Sequence, residues 1–328
     1  MTILLAITIL LVLAAEFTNG LTDAANAIAT VVGTRVLSPA KAVAMAAVLN
    51  MAGVLVTGTA VAATVGKGIV DPSIITVEVV AAAMLTVVVW TTAAWKFGIP
   101  TSETHELLAG LAGAGLAAAG PSVLLWEGWR KVLIGLGMST ILGFGLAFVI
   151  MILIYRLFHR AHRTPTNRLF GRLQIFSAGF MAFSHGSNDG QKFMGVFALA
   201  LFLGGVLPTF EVPLWVVFLC GTVMAIGTAL GGWRIIKTMG VKITRLEPVN
   251  GFAAETAAST AILIASHFGI PLSTTHTIGT AIMGVGSTRR LSAVNWSVSR
   301  QIVATWIITF PACLILGYVF AWLFKLIF

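Results

Sequence analysis

The sequence predicts an all-α polytopic membrane protein of two inverted-topology repeats, with about five crossings each and ten to twelve membrane segments in all. The composition indicates a membrane protein, because 58% of the 328 residues are hydrophobic and only 9% are charged. A soluble protein carries about 25% charged residues, and so few charges cannot cover a soluble surface. Two motifs that each occur twice, in the same order, indicate the duplication.

The first duplicated motif is a polar stretch inside an apolar run. Residues 17–26 (FTNGLTDAAN) align without a gap with residues 183–192 (FSHGSNDGQK), 166 positions later. The two copies share Phe, a hydroxyl residue, Gly and Asp in register. Ionisable groups at membrane depth are costly and usually line a polar cavity or a substrate path. We therefore expect both stretches to interrupt a membrane helix, with Asp23 and Asp189 lining such a path.

The second duplicated motif is predicted to form two anion-attracting helix starts. Residues 98–105 (GIPTSETH) and 269–276 (GIPLSTTH) are identical at six of eight positions, with an offset of 171. Pro100 and Pro271 are expected in the first helical turn, where the missing N–H needs no partner. The positive end of a helix dipole attracts an anion. Paired interrupted helices in corresponding halves indicate a transporter binding site, here near the membrane midplane.

Apolar runs between charged residues give five crossings in each repeat. They are residues 2–33, 42–64, 73–95, 98–119 and 132–155 in the first repeat, and residues 173–206, 214–232, 250–267, 271–286 and 302–324 in the second. A crossing needs about 20 apolar residues, so the long first run of each repeat is expected to be a broken or re-entrant helix. The basic residues 156–172 are predicted to link a first repeat, residues 1–155, to a second, residues 173–328.

The Lys and Arg residues predict which side of the membrane each loop faces. An odd number of crossings turns the second repeat upside down relative to the first. With the basic linker in the cytoplasm, fifteen of the twenty Lys and Arg residues fall inside, four fall outside, and Lys192 lies in the membrane. Cytoplasmic loops carry such an excess. We therefore expect a multi-pass protein of the cell (cytoplasmic, or inner) membrane with both termini outside, and a lipid bilayer rather than nucleic acid as the partner of the net charge of +9.

Polar residues of the two motifs are predicted to bind a tetrahedral oxyanion, which needs many hydrogen-bond donors around it. The predicted substrate ligands are Asn26, Thr101, Ser102, Thr104, Asn188, Gln191, Lys192, Ser273, Thr274 and Thr275. Carboxylates repel an anion, so a cation must accompany it, and carboxylates paired beside oxyanion donors indicate symport. The predicted coupling-cation residues are Asp23, Asp189, Glu255 and Thr22.

Several assignments remain open at this point. Lys192 either faces the anion or pairs with Asp189 three residues before it. Glu255 is a proton carrier or a strut between helices, and Glu16, Glu103 and His185 are weaker candidates for lining groups. An intramembrane hydrolase is the alternative from another class, but a nucleophile needs one copy and these motifs occur twice. A channel is a further alternative, but a channel does not require paired carboxylates beside an anion site. No enzymatic activity, cofactor or resident metal is expected.

The motifs resemble those of the PiT inorganic phosphate transporters. Residues 20–27 (GLTDAANA) and 186–192 (GSNDGQK) are similar to the two copies of that family's signature, and residues 273–276 (STTH) and 251–255 (GFAAE) to further elements of it. The resemblance covers nearly the whole chain and is strongest to the bacterial low-affinity branch. It implies inverted repeats, a homodimer, and uptake of inorganic phosphate with a coupling cation. The carboxylates Asp23 and Asp189 also fit a metal–phosphate complex as the carried species.

Three departures from the family pattern bear on the coupling ion. Thr22 replaces the signature Asn, and Glu103 replaces a hydroxyl residue in the first copy of the Ser-Thr-Thr-His element. Asn50 stands where sodium-coupled animal relatives have Glu. These departures favour protons as the coupling ion. Sodium-coupled phosphate symport, or transport of a related oxyanion such as sulfate, is the alternative.

Overall fold

A computed structural model describes residues 2–328, and these residues form α-helices joined by short connections. The all-α prediction is confirmed, because two isolated bridges are the only β-type pairings in the described part of the chain. The first half contains α1 (Ile3–Gly33), α2 (Pro39–Val56), α3 (Ala60–Lys67), α4 (Val77–Phe97), α5 (Glu103–Ala119) and α6 (Trp126–Leu157). The second half contains α7 (Arg163–His185), α8 (Gln191–Leu203), α9 (Leu214–Leu230), α10 (Trp233–Lys237), α11 (Pro248–His267), α12 (Thr274–Ser287) and α13 (Trp296–Ile327).

Five of these helices, α1, α2, α4, α6 and α13, are long and apolar enough to cross a membrane by themselves. A sixth span is added if α9 and the following Trp233–Lys242 segment, which are bent by 61° at their junction, count together. The other predicted crossings fall on helices that are shorter or more polar. The count of ten to twelve membrane segments therefore stays a prediction.

The predicted break in the first segment is wrong, because α1 is one uninterrupted helix of 31 residues. At about 1.5 Å per residue it is about 46 Å long, more than the roughly 30 Å of a hydrocarbon core. Its polar stretch contains no proline, and its side chains find partners on other helices without opening the backbone. Asn26, for example, donates a hydrogen bond to Thr275 on α12.

The corresponding stretch of the second half departs from α-helical geometry only locally. Gly186–Gly190 form a π-helical turn between α7 and α8. Single π turns inside α-helices are common at functional sites, because they rotate the side chains that follow. Beyond the turn the helix continues, with Lys192 bonded to Thr104 of the first half and Asp189 bonded to Thr274 of α12.

The full breaks lie at glycines elsewhere. The predicted span 42–64 is wrong, since α2 ends at Val56 and α3 begins at Ala60, with Gly58 between them at φ 78°. In the second half, α9 ends before Gly231, which has φ 69°. The connection between the predicted spans 214–232 and 250–267 contains α10 and a π turn, Thr238–Lys242. Glycine adopts a positive φ without a steric clash, whereas most other residues do not. The chain therefore changes direction at both glycines.

The basic segment 156–172 is only partly a connection. Helix α6 ends at Leu157 and α7 begins at Arg163, so the last ten residues of the predicted linker are helical. Pro165 falls in the first turn of α7, where proline leaves no hydrogen bond unmade. The division into two repeats at this segment stays a prediction.

Close glycine contacts repeat between the halves. A Cβ on Gly20 of α1 would lie 2.2 Å from the Met224 carbonyl oxygen of α9, and a Cβ on the equivalent Gly186 would lie 2.1 Å from the Asn50 carbonyl oxygen of α2. Small residues let membrane helices approach this closely. The same geometry at equivalent positions supports an ancestral duplication.

The two halves interlock around the centre of the molecule. Helix α5 packs on α13, and its equivalent α12 packs on α6, so each half covers a helix of the other. At these crossings Gly113 meets the Leu314 backbone and Gly284 meets the Phe144 backbone. This packing of α5 and α12 on helices of the opposite half brings the N-termini of α5 and α12 together. The inverted orientation of the repeats stays a prediction.

Candidate functional site

Two helix starts meet at the centre of the fold, and glycine and proline shape both. Helices α4 and α11 are followed by Gly98 and Gly269, both in the left-handed region at φ 67° and 64°. The chain then runs extended through Pro100 and Pro271 to the caps of α5 and α12. The expectation that these prolines occupy the first helical turn is wrong, because the helices begin at Glu103 and Thr274. Proline forces an extended neighbour and so keeps the preceding helix from continuing.

Serine caps both helices and joins them. Ser102 Oγ accepts a hydrogen bond from the His105 N–H at 3.4 Å, and Ser273 Oγ accepts one from the His276 N–H at 3.2 Å. The two Oγ atoms lie 2.8 Å apart. Each helix therefore points its positive dipole end at the same place, as an anion-binding pair requires.

Lys192 forms an ion pair with Asp189, which is one of the two roles left open by the sequence. Its Nζ lies 2.5 Å from Asp189 Oδ1. It also donates hydrogen bonds to Thr104 Oγ1 at 2.7 Å and to the Leu272 carbonyl at 2.9 Å. A buried ammonium needs such partners, and here they come from both halves of the chain.

Asn26 and Thr274 connect α1, α12 and the π turn. Asn26 Nδ2 donates to Thr275 Oγ1 at 2.9 Å and to Thr274 Oγ1 at 3.2 Å. The Thr274 hydroxyl in turn donates to Asp189 Oδ2 at 2.9 Å. Asp23 adjoins them, with a carboxylate oxygen within 4.8 Å of one of Asp189. Together with Lys192 and the paired serines, these residues form what we call the central cluster: Asp23, Asn26, Ser102, Thr104, Asp189, Lys192, Ser273, Thr274 and Thr275.

A buried histidine lies between the two aspartates. His185 Nε2 is 3.4 Å from Asp189 Oδ2 and 4.0 Å from Asp23 Oδ2. Its other nitrogen, Nδ1, is 3.2 Å from the side-chain oxygen of Asn50, whose amide nitrogen donates to Thr228. The Asn50 oxygen is therefore the acceptor, which assigns the proton to Nδ1 and leaves Nε2 facing the carboxylates.

Thr22 and Thr101 lie beside buried carboxyl groups of the first half. The Thr22 hydroxyl donates to Glu103 Oε1 at 2.7 Å. Thr101 is buried beside Glu106, whose carboxyl accepts a hydrogen bond from Thr91. Both threonines thus border the central cluster on the side of the first half.

Two predicted substrate ligands point to other elements. Asn188 Nδ2 donates to Ser266 on α11 at 2.9 Å. Gln191 Oε1 accepts from the Val61 N–H of α3 at 2.9 Å, and its Nε2 donates to the Ser187 carbonyl at 2.6 Å. These contacts hold α3 and α11 against the π turn, and the structure does not bring the two side chains into the central cluster.

Glu255 lies in a separate buried network. Its Oε1 accepts hydrogen bonds from Thr30 at 2.5 Å and Gln174 at 3.0 Å, and its Oε2 accepts one from Ser177. The donors come from α1 and α7, so the carboxyl joins three helices. This geometry is that of a strut, the second of the two roles that the sequence left open.

Three further buried residues border the cluster. Glu106, which the sequence analysis did not single out, and Glu16 and Asn19 on α1 are all fully buried. An acidic side chain in an apolar helix was the available signal for Glu106, since such residues are rare without a function. Neither Glu16 carboxyl oxygen has a hydrogen-bond partner.

Comparison with known proteins relates the whole chain to one family. Residues 19–317 match the profile of the phosphate transporter family. A protein of Rhizobium meliloti, described as a probable low-affinity inorganic phosphate transporter, is 46% identical over 92% of this chain and 91% of its own length. A protein of Bacillus subtilis with the same description is 40% identical over the full length of both chains.

A solved structure shares the architecture. The protein described as the sodium-dependent phosphate transporter superposes with a TM-score of 0.91, covers all of both chains, and is 26% identical to this sequence. The helix order and the interlocked halves described above are therefore features of an established transporter fold.

Proposed function

The chain belongs to the phosphate transporter family, and from this premise we propose that it takes up inorganic phosphate by secondary active symport with a cation. The relatives named above are described as phosphate transporters, which supports phosphate as the substrate. They are transporters rather than enzymes, so the hydrolase alternative has no support. The cell membrane is the compartment that fits the family and the apolar helices.

The observation that carries the proposal is the junction of the two helix starts. Around the 2.8 Å Ser102–Ser273 contact lie the hydroxyls of three threonines, the amide of Asn26 and the amine of Lys192. Phosphate has four oxygens and accepts many hydrogen bonds at once, and neutral donors at two helix N-termini suit it. Sulfate presents the same shape, so it is the competitor to include in a test.

A coupling cation is required by the carboxylates. Two unit charges 4 Å apart repel by about 4 kcal/mol at an effective dielectric of 20. Phosphate at the junction would meet Asp189 and Asp23, and Lys192 is already engaged with Asp189. A cation bound together with the phosphate removes this repulsion. This favours symport over transport of the anion alone.

We favour protons as the coupling ion. A sodium ion needs several oxygen ligands. Two positions at which this chain departs from the family pattern, Thr22 and Asn50, already have other partners: Thr22 donates to Glu103, and Asn50 bonds to Thr228 and His185. Sodium is the second candidate, because the structural relative is described as sodium-dependent.

The organisation around this site is also proposed. Two inverted repeats, residues 1–155 and 173–328, would place both termini outside and the basic residues 156–172 in the cytoplasm. The repeated glycine contacts support the duplication, and the charge distribution supports the orientation. The family resemblance supports a homodimer.

The test is uptake of labelled phosphate into proteoliposomes containing the purified protein. One arm imposes an inward proton gradient without sodium, a second imposes a sodium gradient at constant pH, and a third adds unlabelled sulfate. Asp23→Asn should abolish gradient-driven uptake, whereas Glu211→Gln, in an exposed loop, should not. Absence of phosphate uptake in every arm would refute the proposed function.

A metal–phosphate complex is a second candidate substrate, and one observation favours it. Asp23, His185 and Asp189 offer three ligand atoms that all lie within 4.8 Å of one another. Such a set can hold a divalent cation while a phosphate oxygen completes its coordination.

A further inference from the structure

The buried carboxyl groups are distributed unequally between the two halves. Glu16, Glu103 and Glu106 are buried in the first half, and the equivalent positions of the second half carry Ala182, Thr274 and Thr277. The phosphate-facing serines and the two aspartates, by contrast, occur in both halves. The three glutamates therefore serve something other than the duplicated substrate contacts.

The buried charges do not balance. Six carboxyl groups are buried among the described residues, and Lys192 is the only Lys or Arg buried with them. Lys192 is paired with Asp189 and makes no hydrogen bond to any of the glutamates. An ionised carboxylate taken out of water without a partner is strongly destabilising, so the remaining groups must hold a proton or another cation.

Glu103 is the buried glutamate that adjoins one of the paired serines in the chain. It is the first residue of α5 and follows Ser102, just as Thr274 follows Ser273 on α12. Its Oε1 accepts the Thr22 hydroxyl, and its Oε2 has no partner. Where Thr274 gives a neutral hydroxyl, Glu103 gives a carboxyl, which tolerates a neighbouring anion only when it is protonated.

Glu16 lies near the middle of α1, about two turns before Asp23 on the same face. It is fully buried, and both of its carboxyl oxygens lack a partner. Asn19, one turn further along, approaches the Glu103 carboxyl, and neither of its side-chain atoms reaches hydrogen-bonding geometry. Unsatisfied polar atoms at this depth are rare in stable proteins unless they bind something.

We propose that Glu103 and Glu16 are proton-carrying residues that couple phosphate movement to the proton gradient. The proposal rests on the proposed phosphate symport and deepens it. A proton from the outer side binds the Glu103 carboxylate and neutralises it, phosphate then binds at the paired serines, and the proton leaves with the phosphate on the inner side. Glu16, two turns before Asp23 on α1, takes up and releases a proton in the same way.

A proton fits these residues better than a metal ion. A metal ion needs several ligand atoms close together. In the described part of the chain, one set of three His, Cys, Asp or Glu residues meets this condition, namely Asp23, His185 and Asp189. Neither glutamate belongs to it. Each glutamate keeps at least one carboxyl oxygen without a partner, and buried acidic side chains form the proton relays of pumps and transporters.

The groups that face these carboxyls come from several elements. Asp189 and Lys192 act on Glu16 from the π turn and α8, and Cys220 faces it from α9. Asp23 acts on Glu103 from α1, and Glu106 acts on it from its own helix. Protonation of Glu103 therefore also relieves its repulsion with Asp23, which ties the proton to the central cluster.

The experiment separates exchange from accumulation in proteoliposomes. Exchange of labelled against internal phosphate, at equal pH on both sides, needs no net proton movement. Accumulation under an inward proton gradient without sodium does. Glu103→Gln and Glu16→Gln imitate the protonated carboxyl, so both variants should keep exchange near the wild-type rate and lose stimulation by the gradient. Glu127→Gln, an exposed residue, is the matched control and should keep both.

A second pair of variants guards against misfolding. Glu103→Thr and Glu16→Ala introduce the residues that the second half carries, and size-exclusion profiles report which variants fold. Gradient stimulation of wild-type size in a glutamine variant would overturn the proposal, and so would loss of exchange in folded variants. Accumulation by the wild type under a sodium gradient alone would overturn the proton role with phosphate transport intact. No phosphate exchange by the wild type would instead remove the proposed function itself.

Discussion

Ser102 Oγ and Ser273 Oγ lie 2.8 Å apart, although the two residues are 171 positions apart in the chain. Each is the N-cap of its helix, and each follows the same Gly-Ile-Pro sequence. The contact is therefore between equivalent residues of the two halves. If the proposed function holds, an anion bound at both helix starts exchanges this hydrogen bond for bonds to itself.

We expect Ser102→Ala and Ser273→Ala to weaken phosphate uptake to a similar degree. A hydrogen bond to a charged group contributes about 1.5–3 kcal/mol, so each variant should raise the KM for phosphate by about tenfold or more. Initial uptake rates over a range of phosphate concentrations measure this. Ser122→Ala, on an exposed turn, should leave KM unchanged. An effect confined to one of the two cap serines would contradict a shared site.

Removal of the Asp189 carboxylate should affect both stability and transport. Asp189→Asn leaves the Lys192 ammonium buried without its counter-charge, and breaking a buried pair from one side costs about 3–5 kcal/mol. Thermal unfolding of the purified protein should therefore begin at a clearly lower temperature, and uptake should be lost. The double variant Asp189→Asn, Lys192→Met should recover stability without recovering transport. An Asp189→Asn protein as stable as the wild type would contradict the ion pair.

The sequence was sufficient to locate the central cluster, because both motifs occur twice and polar residues at membrane depth usually line a substrate path. It could not assign each side chain to a face. Asn188 and Gln191 lie in the same short motif as Asp189, yet the π turn directs them to α11 and α3. A π turn has no strong sequence signal, so which neighbours share a face was not predictable.

The continuity of α1 was not predictable for a related reason. A polar run in an apolar segment indicates either a broken helix or a helix whose polar side chains are satisfied by other helices. Only the tertiary partners distinguish the two, and here Asn26 finds Thr275, and Thr22 finds Glu103. The exchange of α5 and α12 between the halves likewise depends on glycine contacts that carry no periodic signal in sequence.

The crossing of α5 with α13 predicts a stability effect far from the site. A Cβ on Gly113 would lie 1.9 Å from the Leu314 carbonyl oxygen, so Gly113→Ala must push the two helices apart. Overpacking of this kind costs about 1–3 kcal/mol, which should appear as a lower unfolding temperature in detergent. Gly137→Ala, on α6 with nothing within 4 Å of the added carbon, is the control. Equal stability of the two variants would contradict the close approach.

The proposed orientation predicts the accessibility of single cysteine labels. After replacement of Cys220 and Cys313, a cysteine near either terminus should react with an impermeant thiol reagent added to intact cells. A cysteine at Arg163 should react only after the membrane is opened. Cytoplasmic loops attract Lys and Arg, and the segment around Arg163 holds the densest group of Arg residues. Termini on opposite sides of the membrane would contradict an odd number of crossings per repeat.

His185 gives the sharpest test of whether a metal accompanies phosphate. Its Nδ1 is held by Asn50, and its Nε2 lies 3.4 Å from Asp189 Oδ2 and 4.0 Å from Asp23 Oδ2. Ligand atoms in a tetrahedral site with bonds of about 2.0–2.1 Å lie about 3.3 Å apart, so small side-chain movements complete the set. The Asp189 oxygen bonded to Lys192 is the other one, Oδ1, so the ion pair and a metal do not compete for one atom.

The measurement is a cobalt titration of the purified protein, prepared without a histidine tag. Bound Co²⁺ with nitrogen and oxygen ligands absorbs visible light, and phosphate that completes the coordination should change that absorption. His185→Gln removes the one nitrogen ligand, and loss of even a supporting residue around a metal lowers affinity by about 10–100-fold, so the absorption should disappear at the same cobalt concentration. His267→Gln, an exposed histidine at the end of α11, should bind as the wild type does. Identical spectra for the two variants would exclude His185 as a ligand, and a wild-type spectrum unchanged by phosphate would favour transport of the free anion.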